Sequence, residues 1–140
     1  AFIKDELFPE INKRYRTTSE KSIIGESASG LFVMETFFLT PEMFDNYIAF
    51  DPSLWWNNHY LVRTAKENLA KFPSTEKRIW FAGSKAEDVS PFTKELAEIL
   101  KAENKENIKW KFSDEPKEKH TTIFRATKEK AIIWTLNKTE

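Results

Sequence analysis

Glycine is scarce in this chain. Only Gly25, Gly30 and Gly83 occur in 140 residues, and so poor a chain keeps glycine where the backbone cannot tolerate a Cβ. Two of the three bracket Ser27, in Ile23-Ile24-Gly25-Glu26-Ser27-Ala28-Ser29-Gly30-Leu31-Phe32. Ser22-Ile23-Ile24 reads as a short buried strand ending at Gly25. From Ala28 to Leu39 the spacing is helical, with Leu31, Phe32, Glu35 and Phe38 defining faces, and Thr40-Pro41 stops it. The chain therefore turns sharply from strand to helix with a serine at the bend.

The same alternation recurs downstream. Residues 2–15 carry apolar side chains at 3, 7, 8, 11 and 15, which predicts a helix kinked at Pro9. Tyr47 to Phe50 predicts a second strand, ended by Asp51-Pro52. Residues 59–72 predict an amphipathic helix with Leu61, Ala65, Leu69 and Phe72 in register. Arg78 to Ala82 reads as a third strand closed by Gly83, and Pro91 to Ala102 as a helix with proline in its first turn. Ile108, Trp110 and Phe112 alternate with Lys109 and Lys111, the pattern of a half-exposed strand near a sheet edge. Residues 121–136 predict the last helix. A helix followed by four strand–helix units implies an α/β fold, a mostly parallel sheet in a three-layer α/β/α sandwich.

Composition narrows the function classes. Lys plus Arg equals Asp plus Glu at 22 each, so no net charge draws the chain to nucleic acid or to a membrane surface. No apolar run is long enough for a membrane span, and Lys4, Asp5 and Glu6 interrupt any signal-peptide core. There is no cysteine, which excludes disulfides and thiol nucleophiles, and the two histidines, His59 and His120, argue against a metal site. No cofactor is implied.

A serine presented at a strand-to-helix bend suits nucleophilic catalysis, because the bend exposes its hydroxyl and small neighbours two residues away avoid clashes. Gly25 and Ser29 hold those places, Ser29 standing where the general pattern has glycine. The N–H of Ala28, in the first helical turn, would face a developing oxyanion. Other readings are a capping serine in an ordinary α/β turn and a phosphate-cradling loop. The latter lacks both the GxGxxG spacing and a GK[ST] ending. A nucleophilic serine needs a base, and the chain order of such folds is serine, acid, histidine. His120 follows the fourth strand, whereas His59 starts a helix and reads as surface or pocket rim. Gly83-Ser84-Lys85-Ala86-Glu87-Asp88 follows the third strand, where the acid usually lies. Asp88 ranks first, then Glu87, then Asp51, whose other reading is a turn aspartate before Pro52.

Four segments resemble the "putative esterase" family of α/β-hydrolases, which includes siderophore esterases and feruloyl-type esterases. They are Glu6-Leu7-Phe8-Pro9-Glu10-Ile11 through Arg14-Tyr15-Arg16; Ile24 to Phe32; Phe50-Asp51-Pro52-Ser53-Leu54-Trp55-Trp56; and His120 before the terminal helix. The third is similar to the family's serine–proline–serine–leucine–tryptophan stretch. The resemblance implies a serine hydrolase of carboxylic esters with Ser27 as nucleophile and His120 as general base. It makes Trp55 and Trp56 candidates to wall the substrate, core packing being their other reading. In the siderophore-esterase branch a Ser–His pair can suffice. The family domain is about twice this length, so residues 1–140 would be one domain's C-terminal portion. The missing half, or a homo-oligomer, would then be a partner, and a half-sheet would leave an apolar strand edge open. A non-catalytic binding module and a flavodoxin-like phosphate binder are the competing readings.

Overall fold

The computed structural model describes residues 2–137. A π-helical turn, Ile3–Leu7, runs into α1 (Phe8–Arg14). There follow β1 (Ser22–Glu26), α2 (Ser27–Leu39), β2 (Asn46–Phe50), α3 (Trp56–Ala70), β3 (Lys77–Ser84), α4 (Ser90–Glu103), β4 (Ile108–Glu115) and α5 (Ile123–Leu136). The four strands form one parallel sheet in the order β1-β2-β3-β4. A parallel sheet that grows in one direction through crossovers of one hand keeps the crossover helices on one face. Accordingly α2, α3 and α4 share a core with Tyr47, Ala49, Ile79 and Phe81. The alternate residues Ile48, Phe50, Trp80 and Ala82 pack against Ile123 and Ala131 of α5 on the other face. The fold is α/β, with three layers.

The central strands are apolar on both faces because both are covered; every residue of β2 is buried. The larger core is aromatic. Phe37 meets Phe38, Tyr47 and Phe72 with ring centroids 5.0, 5.2 and 4.9 Å away, separations at which edge and tilted contacts are favourable. Burial pushes the Tyr47 phenol well above its ordinary range. It stays a neutral donor, giving its proton to the carbonyls of Pro41 and Phe44.

One expectation needs correction. β1 is not a buried strand: Ile24 is 48% exposed. β1 is outermost, flanked by β2 alone, and α5 lies over β2 and β3 rather than over β1. The anticipated open apolar edge is therefore at β1. At Pro9 the helix changes winding: the Phe8 N–H bonds to the carbonyl of Ile3, five residues back. Pro9 has no N–H to give to a carbonyl four back, so the register loosens there. In α3, Asn57, Asn58 and His59 have φ of 51°, 52° and 45°, so regular right-handed winding starts at Tyr60.

The packing predicts that Phe37→Ala, which empties the meeting point of three rings, lowers stability by about 3–5 kcal/mol. A urea titration followed by circular dichroism measures it. A midpoint unchanged from wild type contradicts this account of the core.

Candidate active site

The bend at residue 27 is built by three backbone facts. Glu26 is extended at φ −125°, and Ser27 then takes φ 56°, a left-handed conformation that costs energy in a non-glycine residue. Gly25 is required, because a Cβ there would lie 2.4 Å from the carbonyl oxygen of Ser29. Gly30 lets the next loop approach, because its Cβ would lie 3.1 Å from Pro52 Cα and 3.2 Å from the carbonyl oxygen of Phe50. Ser29, where glycine was the expected residue, locks the bend. Its hydroxyl accepts the Glu26 N–H at 2.9 Å and donates to the Glu26 carbonyl at 2.7 Å. The Glu26 carboxylate in turn accepts the Ser29 N–H.

Three segments from far apart in sequence meet at Ser27. Its hydroxyl lies 3.0 Å from His120 Nε2. The other ring nitrogen, Nδ1, lies 3.0 Å from Asp51 Oδ2. A carboxylate only accepts, so Nδ1 carries the proton and donates it, leaving Nε2 free to accept from Ser27. Asp51 has no exposed surface, and a buried carboxylate requires partners. The Ser84 N–H donates to Oδ1 and the Ser84 hydroxyl to Oδ2, each at 2.6 Å. The Asp51 N–H also donates to the Ala82 carbonyl at 3.0 Å, and Asp51 itself has φ 39°. The His120 turn is tied to the β3 end by the Lys85 N–H, which donates to the Glu118 carbonyl at 3.2 Å.

The first-ranked acids are not the ones brought to the histidine. Asp88 and Glu87 are exposed in a turn that leads into α4, where the Val89 and Ser90 N–H groups both bond to the Ala86 carbonyl. Two features decide this. β3 continues to Ser84, beyond its expected end at Ala82. Phe50 and Ala82 are register partners, which sets Asp51 beside the end of β3 and level with His120. Asp51, the third choice, is the residue in contact.

Sequence reasoning gave no role to two serines. Ser84 stands inside the expected acid loop. Ser53 stands within the Phe50–Trp56 stretch, and its N–H donates to the Ser27 carbonyl at 3.1 Å while its hydroxyl is 3.5 Å from Ser27 Oγ. Their signal is position alone: Ser84 is the last residue of β3, and Ser53 lies three residues past the end of β2. Trp55 and Trp56 follow, 42% and 58% exposed, with rings in edge contact at 5.8 Å. Exposure on that scale does not fit core packing. His59 is half-buried, its ring stacked 5.1 Å from that of Phe92. The Ala28 N–H belongs to the first turn of α2, whose N–H groups have no carbonyl four residues back.

An apolar groove of about 560 Å³ between α1 and β1, lined by Ile3, Leu7, Phe8, Ile11, Ile23 and Phe44 among others, shares no residue with this cluster. Among the described residues no three His, Asp or Glu side chains group as a metal site, and no helix is long and apolar enough to cross a membrane.

Comparison with known proteins finds similarity in sequence and in fold. The profile of the family described as "Putative esterase" matches residues 1–137. Ferri-bacillibactin esterase BesA of Bacillus subtilis (strain 168) is 26% identical over 144 residues, covering 97% of this chain and 50% of BesA. The crystal structure of the BES protein from Bacillus cereus superposes with a TM-score of 0.84 at 28% identity, covering 94% of this chain and 51% of that one. An IroE-like serine hydrolase from Shewanella oneidensis gives a TM-score of 0.86 at 22% identity, with 94% and 44% covered, a likeness of fold. The chain thus spans about half the length of the curated relatives it matches.

The elbow geometry predicts that Gly25→Ala is destabilising by about 1–3 kcal/mol, since backbone atoms rather than a pliable side chain meet the new Cβ. Differential scanning calorimetry checks this, and a melting temperature at or above wild type contradicts it.

Proposed function

The chain belongs to the putative esterase family, and on that premise we propose that it hydrolyses carboxylic esters through an acyl-enzyme, with Ser27 as nucleophile, His120 as general base and Asp51 as the acid. One observation carries the reading. The Ser27 hydroxyl lies 3.0 Å from an imidazole nitrogen whose ring partner is 3.0 Å from a fully buried carboxylate.

The steps follow from the geometry. Ser27 Oγ bonds to the ester carbonyl carbon as its proton passes to His120 Nε2. Asp51 keeps Nδ1 protonated and the ring oriented, and stabilises the imidazolium that forms. The tetrahedral oxyanion accepts from the Ala28 N–H, with the partial positive charge of the α2 N-terminus behind it. The C–O bond to the alcohol then breaks, and the alcohol leaves with the proton from Nε2. Water, deprotonated by the same nitrogen, attacks the acyl carbon, and the bond to Ser27 Oγ breaks as Oγ takes the proton back from Nε2, releasing the acid. A second oxyanion donor and much of the pocket are assigned to the portion of the relatives with no counterpart here. A siderophore ester is the substrate class suggested by the names of two further relatives, a siderophore triacetylfusarinine C esterase and a siderophore enterobactin esterase. The exposed rings of Trp55 and Trp56, two and three residues past Ser53, would wall its apolar or aromatic part.

The half-length coverage favours one second reading, a non-catalytic α/β-hydrolase-like module that binds rather than cleaves. It predicts a folded protein inert towards nitrophenyl esters, with Ser27→Ala changing nothing.

Two outcomes are expected. A fluorophosphonate probe labels Ser27, read by peptide mass spectrometry, and Ser27→Ala abolishes labelling. Asp51→Asn lowers kcat for a nitrophenyl ester by about 10⁴-fold, the scale seen when a triad acid loses its charge. Asp88→Asn and Glu87→Gln leave the rate as it is. Loss of activity in Asp88→Asn with none in Asp51→Asn would falsify the assignment of the acid.

A further inference from the structure

The loop after β2 carries more than the acid. Ser53, two residues past Asp51, is 8% exposed. Its backbone is held on both sides: the N–H donates to the Ser27 carbonyl at 3.1 Å, and the carbonyl accepts the Trp56 N–H at 3.0 Å. Its hydroxyl lies 3.5 Å from Ser27 Oγ and, among the described residues, has no other hydrogen-bond partner. Ser27 gives its own proton to His120 Nε2 at 3.0 Å, so towards Ser53 its Oγ can only accept. Of the two lone pairs on that oxygen, one must stay free to attack, and the other can take the Ser53 O–H. The separation exceeds that of a formed O–H···O bond, about 2.7–2.8 Å. Rotation about χ1 of one serine closes it, and catalytic hydrogen bonds commonly tighten only when the reacting group is in place.

We propose that Ser53 is a further catalytic residue: its hydroxyl donates to Ser27 Oγ as that atom leaves the acyl-enzyme, so that it speeds deacylation and not acylation. This rests on the reading of Ser27 as nucleophile given above. The asymmetry follows from what Oγ is before each step. In the free protein it is a hydroxyl oxygen, a good acceptor. A bond from Ser53 then stabilises the resting state and the attacking state alike, and acylation changes little. In the acyl-enzyme Oγ is the bridging oxygen of an ester, whose lone pair is delocalised into the carbonyl and accepts weakly. Water adds to the acyl carbon, the C–Oγ bond breaks, and its electron pair returns to Oγ. There it meets the proton from His120 Nε2 and the O–H of Ser53. The donor is stronger in that transition state than in the state before it, which is the condition for a gain in rate. A serine that only tied the bend at Ser27 would act through its N–H, and that contact survives removal of the hydroxyl.

The test separates the two steps with nitrophenyl acetate. The stopped-flow burst of nitrophenol gives acylation, and the decay of the acetylated protein, followed by intact mass after the ester is removed, gives deacylation. Ser53→Ala should slow deacylation by about 10–100-fold, the scale of one hydrogen bond to a charged group, and leave acylation within about threefold of wild type. Its kcat and KM should fall by the same factor, kcat/KM should hold, and acetyl-Ser27 should accumulate. Thermal melting shows whether the variant is folded. Should Ser53→Ala not fold, Ser53→Cys decides by the same criterion, because it keeps the volume and offers only a weak donor. Deacylation at the wild-type rate, or acylation slowed as much as deacylation, overturns the proposal and leaves the esterase reading standing. A wild-type protein that forms no acetyl-Ser27 overturns the esterase reading, and this proposal with it.

Discussion

A carboxylate with no exposed surface must be satisfied inside the protein, and the rest of this site is arranged around that demand. Asp51 receives two donors from Ser84 and one from His120. Each donor fixes something besides the charge. The pair from Ser84 fixes the plane of the carboxylate, and the bond from Nδ1 fixes the tautomer and tilt of the imidazole. Nε2 is then left bare and facing Ser27. With Asp51 unable to accept, nothing would dictate which ring nitrogen carries the proton.

The parallel sheet makes the convergence possible. Its strands run the same way and end at the same level, so the loops after β1, β2 and β4 deliver Ser27, Asp51 and His120 to one spot although 93 residues separate the first from the last. Close packing of those loops depends on glycine at 25 and 30, which leaves room for the α2 backbone and for Pro52. Ser27 and Asp51 both take left-handed conformations, with φ of 56° and 39°. Such strain persists only where surrounding structure over-determines it; here the Ser29 hydrogen bonds, the Ser53 N–H and the buried carboxylate do so.

Much of this was legible in the sequence. Strand–helix alternation gave the parallel three-layer fold, and the glycine pair gave the bend at Ser27. The alternation of Ile108, Trp110 and Phe112 with lysines marked β4 as an edge. What escaped was of another kind. The exposed face of Ile24 depends on which elements lie over β1, and residues 22–24 look alike whether covered or not. The choice of Asp51 over Asp88 depends on strand register and on where β3 stops, and both are settled by pairing across the sheet rather than by local pattern. Ser53 and Ser84 carried no composition signal, because a serine gains meaning only from what lies within hydrogen-bond reach.

The central claim is that residues 27, 120 and 51 act as one line with the Ala28 N–H beside it. A crystal structure of the protein after reaction with a fluorophosphonate tests it most directly. The account predicts phosphorus bonded to Ser27 Oγ, its phosphoryl oxygen accepting from the Ala28 N–H, and His120 held between the adduct and Asp51. An adduct on another residue, or an imidazole turned away from Asp51 towards a different acid, contradicts it.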